Sequence, residues 1–194
     1  MRSKSGFLVK SEKHKMLAGD WYNPRDSKLT ALRLAAKQRC YDFNQLSPAA
    51  NSQRKALLQQ LLKVNARLEI EAPFFCDYGF NISLGVHFYA NHGCTILDAA
   101  KVTIGDDCLL GPGVVLSTVN HPLDAEQRLT GVEQALPITL GNNVWLAANV
   151  TVTAGVTIGD DVVVGAGSVV LHDLPARTLC AGTPAKVIKK LSKP

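Results

Sequence analysis

The chain carries few of the features that mark a metal centre, a disulfide scaffold or a membrane anchor. Its five cysteines, Cys40, Cys76, Cys94, Cys108 and Cys180, include no CxxC pair, and an odd number at wide spacing supports neither a disulfide framework nor a zinc ribbon. They read as reduced packing residues. Apolar runs are all far short of a bilayer span. The run Phe7 to Val9, between charges near the start, is too brief for the core of a secretory signal. A domain in the cytoplasm, off the membrane, is therefore expected. Lysines gather near the start (Lys4, Lys10, Lys13, Lys15) and at the end (Lys186, Lys189, Lys190, Lys193), within a formal net charge of +5. No aromatic residues interleave with the C-terminal group to stack bases, which argues against nucleic acid. The two clusters are either solvated ends or anion-binding groups.

What is present is a period of six. Steps of six from Ile104 reach Leu110 and Leu116, and the phase resumes at Leu140, Leu146, Val152, Ile158, Val164 and Val170. With apolar residues at 46% of the chain, nine such hits arise by chance on the order of once in a thousand tries per phase, and the signal survives a choice among six phases. A helix repeats every three to four residues and a flat strand every two, so the period predicts short strands stacked in coils, three sides to a coil. No coil buries its apolar column alone, so the array is stable only as a stack. Glycine follows the anchor five times, at Gly105, Gly111, Gly141, Gly159 and Gly165. Unusual corner dihedral angles are the expected reason.

Upstream, Ser11 to Lys63 reads as helical. Ser27 is placed to cap a segment with Leu29, Leu32, Ala36, Cys40 and Phe43 at helical spacing, and Ser47-Pro48 to open a second with Ala56, Leu57 and Leu61. Trp21 and Tyr22, ahead of these, read as packing aromatics. From Leu68 the pattern alternates and Pro73 blocks a helix, so coils are expected to start there, with Tyr78, Leu84, Ala90 and Ile96 on the six-residue step. The step of eight from Ile96 to Ile104 predicts a two-residue bulge around Asp98 to Lys101. The expected organisation is an N-terminal leader and helical segment over residues 1–66, coils over 67–183, and a basic tail over 184–194.

A second break lies at Ser117 to Thr139, polar and without glycine-punctuated hexads. A long loop ejected from a rigid solenoid is a common place for function. At its root stands Asn120-His121-Pro122, where a stiffened histidine suits a general base. An ordinary surface histidine is the plain alternative.

From about Met16 to Leu191 the chain resembles the bacterial hexapeptide-repeat O-acetyltransferases of the maltose, galactoside and nodulation-factor acetyltransferase group. The segments that carry the resemblance are Ala18-Gly19, CDYGFNI from Cys76 to Ile82, FYAN from Phe88 to Asn91, His121-Pro122, ITLGNNVW from Ile138 to Trp145 and AGTPAKVIKK from Ala181 to Lys190. The resemblance implies a mainly β fold, a left-handed parallel β-helix of hexapeptide repeats with a small N-terminal helical segment and one long excursion loop. It also implies a homotrimer with active sites between subunits, acetyl-CoA as co-substrate and a small hydroxylated acceptor, expected to be a saccharide. His121 matches the family's general base, acting in a ternary complex without an acetyl-enzyme, so no cysteine is expected to be a nucleophile.

By position the resemblance assigns acceptor contacts to Asp77, Tyr89, Asn91 and Asp98, although Tyr89 could pack and Asn91 and Asp98 could satisfy turns. For acetyl-CoA it points to Trp145, Ala148, Ala166, Leu171, His172, Lys186 and Lys189, small alanines admitting the pantetheine arm and lysines balancing phosphates. Packing is the alternative for Trp145, and a plain surface site for His172. The chain departs from family habit at Lys186, commonly arginine, at Ala147, commonly glycine, and at Asn23 or Pro24, where some relatives place an acidic residue. No resident metal is expected. The rival readings are a zinc carbonic anhydrase built on His87, His92 and His121, a non-catalytic scaffold, and a xenobiotic acetyltransferase on the same coil.

Overall fold

The computed structural model describes residues 10–62 and 68–192. Lys4, the Phe7 to Val9 run, Lys63, Arg67 and Lys193 lie outside them. Three helices lead: α1 (Glu12–Ala18), α2 (Ser27–Gln45) and α3 (Asn51–Leu62). Ser11 caps α1, accepting from His14 N at 3.2 Å, and Gly19 closes it in the left-handed region at φ 75°.

The cap of α2 is Asp26, one residue before the expected Ser27. Its carboxylate accepts from both Lys28 N and Leu29 N, and its negative charge suits the positive helix end. Ser47-Pro48 does not open α3. The Ser47 side chain and carbonyl accept from Ala49 and Ala50, closing a turn that delays the helix to Asn51. Helix α2 buries Leu29, Ala36, Cys40 and Phe43, and α3 buries Leu58, Leu61 and Leu62, leaving Ala56 exposed. No helix of the described residues is long and apolar enough to cross a membrane.

The rest is a three-sided parallel β-helix. The first face stacks Leu68–Ile70, Phe88–Ala90, Leu109–Leu110, Trp145–Leu146, Val163–Val164 and Thr178–Gly182. The second stacks Phe75–Cys76, Thr95–Leu97, Val115–Ser117, Thr151–Val152 and Val169–Val170, and the third Ile82–Leu84, Val102–Ile104, Ile138–Leu140 and Thr157–Ile158. The basic tail folds back as Ala185–Lys190, antiparallel to Thr178–Gly182. The anchors form inward columns, as in Cys76, Ile96, Leu116, Val152 and Val170 on the second face. Burying each such side chain contributes about 1.5–3 kcal/mol. The residue two before each anchor is buried too, for instance Val144, Val150, Val156 and Val162. Tyr78 is not an anchor. Cys76 pairs with Ile96 and takes that place, while Tyr78 packs with Met16, Tyr22 and Leu29 under the helices.

The glycines after the anchors have a different reason from the one expected. None of Gly105, Gly111, Gly141, Gly159 and Gly165 has positive φ. A Cβ on them would instead strike the next coil, at Gly141 O 2.6 Å away for Gly105 and Ala148 N 2.7 Å away for Gly111. The left-handed residue comes two positions later, at Asp107, Asn143 and Asp161, or at Gly113 and Gly167.

Candidate functional site

One edge of the prism departs from regularity. Cys76 to Ile96 and Ile96 to Leu116 each take 20 residues per coil, against 18 from Val152 to Val170. The surplus sits where the second face turns into the third, at 77–81 and 98–101, so the expected bulge at 98–101 is one of a stacked pair of long corners. On the following coil the same edge emits the excursion loop. That loop is ordered: Val119–Asn120 pairs antiparallel with Gln134–Ala135, and a short helix α4 (Ala125–Leu129) lies between.

Polar side chains bind these corners together. Asp98 is fully buried, and its carboxylate accepts from Tyr78 N at 2.8 Å and Asn81 N at 3.2 Å. Burial pushes its pKa up to about 6, against the opposing pull of those amides. Thr118 Oγ1 donates to Leu97 O at 2.6 Å and accepts from Ala100 N at 3.0 Å. The leader then closes on the loop, because Tyr22 and Glu133 exchange two backbone hydrogen bonds of 2.9 and 3.0 Å. The Tyr22 hydroxyl donates to Glu133 Oε2 at 2.6 Å, and burial together with that carboxylate holds its pKa well above the usual phenol range.

The result is a cavity of about 370 Å³ at this edge. The leader supplies Tyr22, Pro24 and Arg25, α2 supplies Arg33 and Lys37, the first corner Asp77 and Tyr78, and the loop His121 and Glu133. His121, half exposed, places Nε2 3.9 Å from Glu133 Oε1. Arg33 donates to the Tyr78 hydroxyl at 2.7 Å and to the Pro24 carbonyl. Burial raises the Asp77 carboxyl above its ordinary range, with Arg33 opposing. A histidine beside a fixed carboxylate, facing polar and cationic groups, can take a proton from a polar ligand.

Of the residues expected at the site, Asp77 and His121 line this cavity. Asp98 lies beneath it, with its carboxylate turned to the backbone. Leu171 and His172 occupy the same edge two coils on. The others stand elsewhere. Tyr89 and Trp145 project from the first face, and Asn91, Ala148 and Ala166 mark the edge between first and second faces, where the Asn91 side chain accepts from His92 N at 2.7 Å. Lys186 and Lys189 lie on the last strand, opposite Ala181 and Leu179. Trp145, with Leu109, Val163 and Arg177, lines a groove of about 610 Å³. The second face separates these two sets within one chain. His87, His92 and His121 sit on three different edges, His87 bonded to Asp107 and His92 to the Ala72 carbonyl. Among the described residues no group of three or more His, Cys, Asp or Glu could hold a metal ion.

Sequence reasoning missed Glu133, Arg33 and Lys37. Arg33 and Lys37, four apart on α2, could have been found as one polar helix face. Glu133, inside a polar loop, carried no signal.

Comparison with known proteins agrees with this architecture. Residues 15–64 match the maltose acetyltransferase hexapeptide capping motif, and residues 137–172 match the bacterial transferase hexapeptide (six repeats). Nodulation protein L of Rhizobium meliloti is 44% identical over 93% of this chain and 99% of its own. The solved maltose O-acetyltransferase of Clostridium difficile superposes with a TM-score of 0.93 at 40% identity, over 95% of this chain and 99% of that one. The chain belongs to the maltose and galactoside O-acetyltransferase family of hexapeptide-repeat acyltransferases. A galactoside acetyltransferase solved in complex with coenzyme A is 37% identical, TM-score 0.89, covering 95% of this chain and 92% of that one. In family terms the helical leader is the capping motif, and here it walls the cavity through Tyr22, Arg25, Arg33 and Lys37.

Proposed function

We propose that the protein transfers an acetyl group from acetyl-CoA to a hydroxyl of a small saccharide-like acceptor, with His121 as general base. The observation that carries this reading is the His121 imidazole at the cavity, beside a Glu133 carboxylate that Tyr22 holds in place. An alcohol is a poor nucleophile at neutral pH, so His121 takes its proton as the oxygen attacks the thioester carbonyl. The Glu133 charge then favours the imidazolium that forms, and the proton later goes to the departing thiolate. Acetyl-CoA supplies the activated acetyl group. Asp77 accepts from acceptor hydroxyls, while Arg33 and Lys37 donate to them. The groove at Trp145, the small Ala148 and Ala166, and the cations Lys186 and Lys189 fit a long cofactor with a phosphorylated end. Leu171 and His172 extend that binding track on the His121 edge. The five buried free thiols suit a reducing cytoplasm.

The working unit is a homotrimer, because only a second copy can bring the first face and its Asn91 and Tyr89 to the His121 edge. The outward rows support this. Tyr89, Leu109, Trp145, Val163 and Leu179 are in register and apolar on the first face, whereas the third presents Ser83, Thr103, Thr139 and Thr157. The test is CoA release with a panel of saccharides and antibiotics beside His121→Ala. A loss of at least about a hundredfold is expected, and turnover surviving that substitution overturns the mechanism.

A further inference from the structure

A second cavity, of about 700 Å³, lies between α2 and the second face, and two cysteines open onto it. Cys40 Sγ on α2 and Cys76 Sγ on the first coil are 3.8 Å apart. Their approach is fixed from outside the pair. One turn after Cys40, the Asn44 side chain donates to Phe74 O at 3.0 Å and accepts from Phe74 N at 2.8 Å, two residues before Cys76. Among the described residues the other thiols have no sulfur neighbour but polar ones: Cys94 donates to Gly111 O, Cys108 to Gly141 O, and Cys180 contacts the Thr178 hydroxyl. The half-exposed Phe75 and the exposed Tyr41 share the cavity wall with the two buried cysteines.

We propose that Cys40 and Cys76 are a reversible thiol–disulfide pair, closed by hydroperoxides, that couples oxidation to the acceptor cavity. One thiolate attacks the peroxide, giving a sulfenic acid and an alcohol, or water from hydrogen peroxide. The second thiol then displaces hydroxide from that sulfur, releasing water and leaving the disulfide, so two thiols lose two electrons and one peroxide gains them. The two sulfurs share one contact in which either can be the donor, so the scheme is the same whichever thiol attacks first. Closing the bond draws the sulfurs from 3.8 Å to about 2.0 Å. The two cavities share Lys37, Asp77 and Leu97 in their walls. Lys37 lies three residues before Cys40, and Asp77 directly follows Cys76, so the bond displaces two residues that face the acceptor.

The thiol part can be tested without any acetyl transfer, whereas the coupling to the acceptor rests on the proposed function. The full chain is treated with a small excess of hydrogen peroxide and its free thiols are counted before and after dithiothreitol. Two of five thiols should disappear and return. Peptide mapping should join the tryptic peptide starting at Cys40 to peptide 68–101, with chymotrypsin separating Cys76 from Cys94. Cys40→Ser should form no such link, and Cys76→Ser serves if that variant does not fold. Oxidation of the wild type without this link overturns the pair. In the cross-linked protein the acceptor KM should rise several-fold with the acetyl-CoA KM unchanged. A formed link with unaltered acceptor KM overturns the coupling alone.

Discussion

Replacing Glu133 with glutamine isolates its charge from its shape. The wild-type carboxylate accepts from the Tyr22 hydroxyl at 2.6 Å through one oxygen and faces His121 Nε2 at 3.9 Å with the other. Glutamine keeps an oxygen for Tyr22 and removes only the negative charge. At an effective dielectric near 20, two unit charges at that separation attract by about 4 kcal/mol. His121 is 53% exposed and Glu133 21%, so solvent screening reduces the contribution to about 0.5–1 kcal/mol. The attraction matters only once the imidazole has taken a proton, so it stabilises the transition state over the ground state. Glu133→Gln should therefore lower kcat roughly 2- to 5-fold, with both KM values and the melting temperature close to wild type. The assay is steady-state CoA release at saturating acetyl-CoA with varied acceptor, alongside thermal unfolding. A folded variant with wild-type kcat refutes the role of the carboxylate, and a loss confined to acceptor KM makes Glu133 a binding residue instead.

Mixing His121→Ala and Asn91→Ala subunits, each inactive alone, and reassembling them should restore about a quarter of the sites if each site draws these residues from two copies. No recovery after reassembly refutes that division. Gly141→Ala and Gly167→Ala should both destabilise the fold, for different reasons: the first drives a Cβ to 2.8 Å from Asp160 N, whereas the second sits in open space at φ 70°. Asparagine tolerates the left-handed region, as Asn149 does at φ 57°. Gly167→Asn should thus cost under about 1 kcal/mol and Gly141→Asn more than about 2 kcal/mol by denaturant unfolding. Asp98, raised to about 6, binds a proton in the folded chain that the unfolded chain has already released between about pH 4 and pH 6. That raised pKa makes folding stability fall as pH rises through the window, by up to about 3 kcal/mol. The stability difference between wild type and Asp98→Asn should show this slope, and a pH-independent difference refutes it.

The six-residue phase from Ile104 to Val170 was written in side-chain type alone, because each anchor must be apolar to fill a column shared with the coils above and below. That period determined the solenoid, and the motifs from Ala18-Gly19 to AGTPAKVIKK determined the family. The helices at Leu29 to Phe43 were legible for the same reason, since a buried stripe repeats at 3.6 residues. Their starts were not, because Asp26 and Ser27 are both competent caps and only backbone geometry chooses between them. Period could not tell Cys76 from Tyr78, which are two apart and both apolar in pattern. Strand pairing with Ile96 made the choice. The glycine after each anchor was visible, yet its cause, collision with the next coil, exists only once coils are stacked. His121 stood out beside its proline. Glu133 and Tyr22, 111 residues apart, became a unit only when the leader closed on the loop, because a hydrogen bond between distant segments leaves no local trace in either. The separation of Asn91 from His121 by the second face is likewise a property of three dimensions, fixed by where each coil turns its corners.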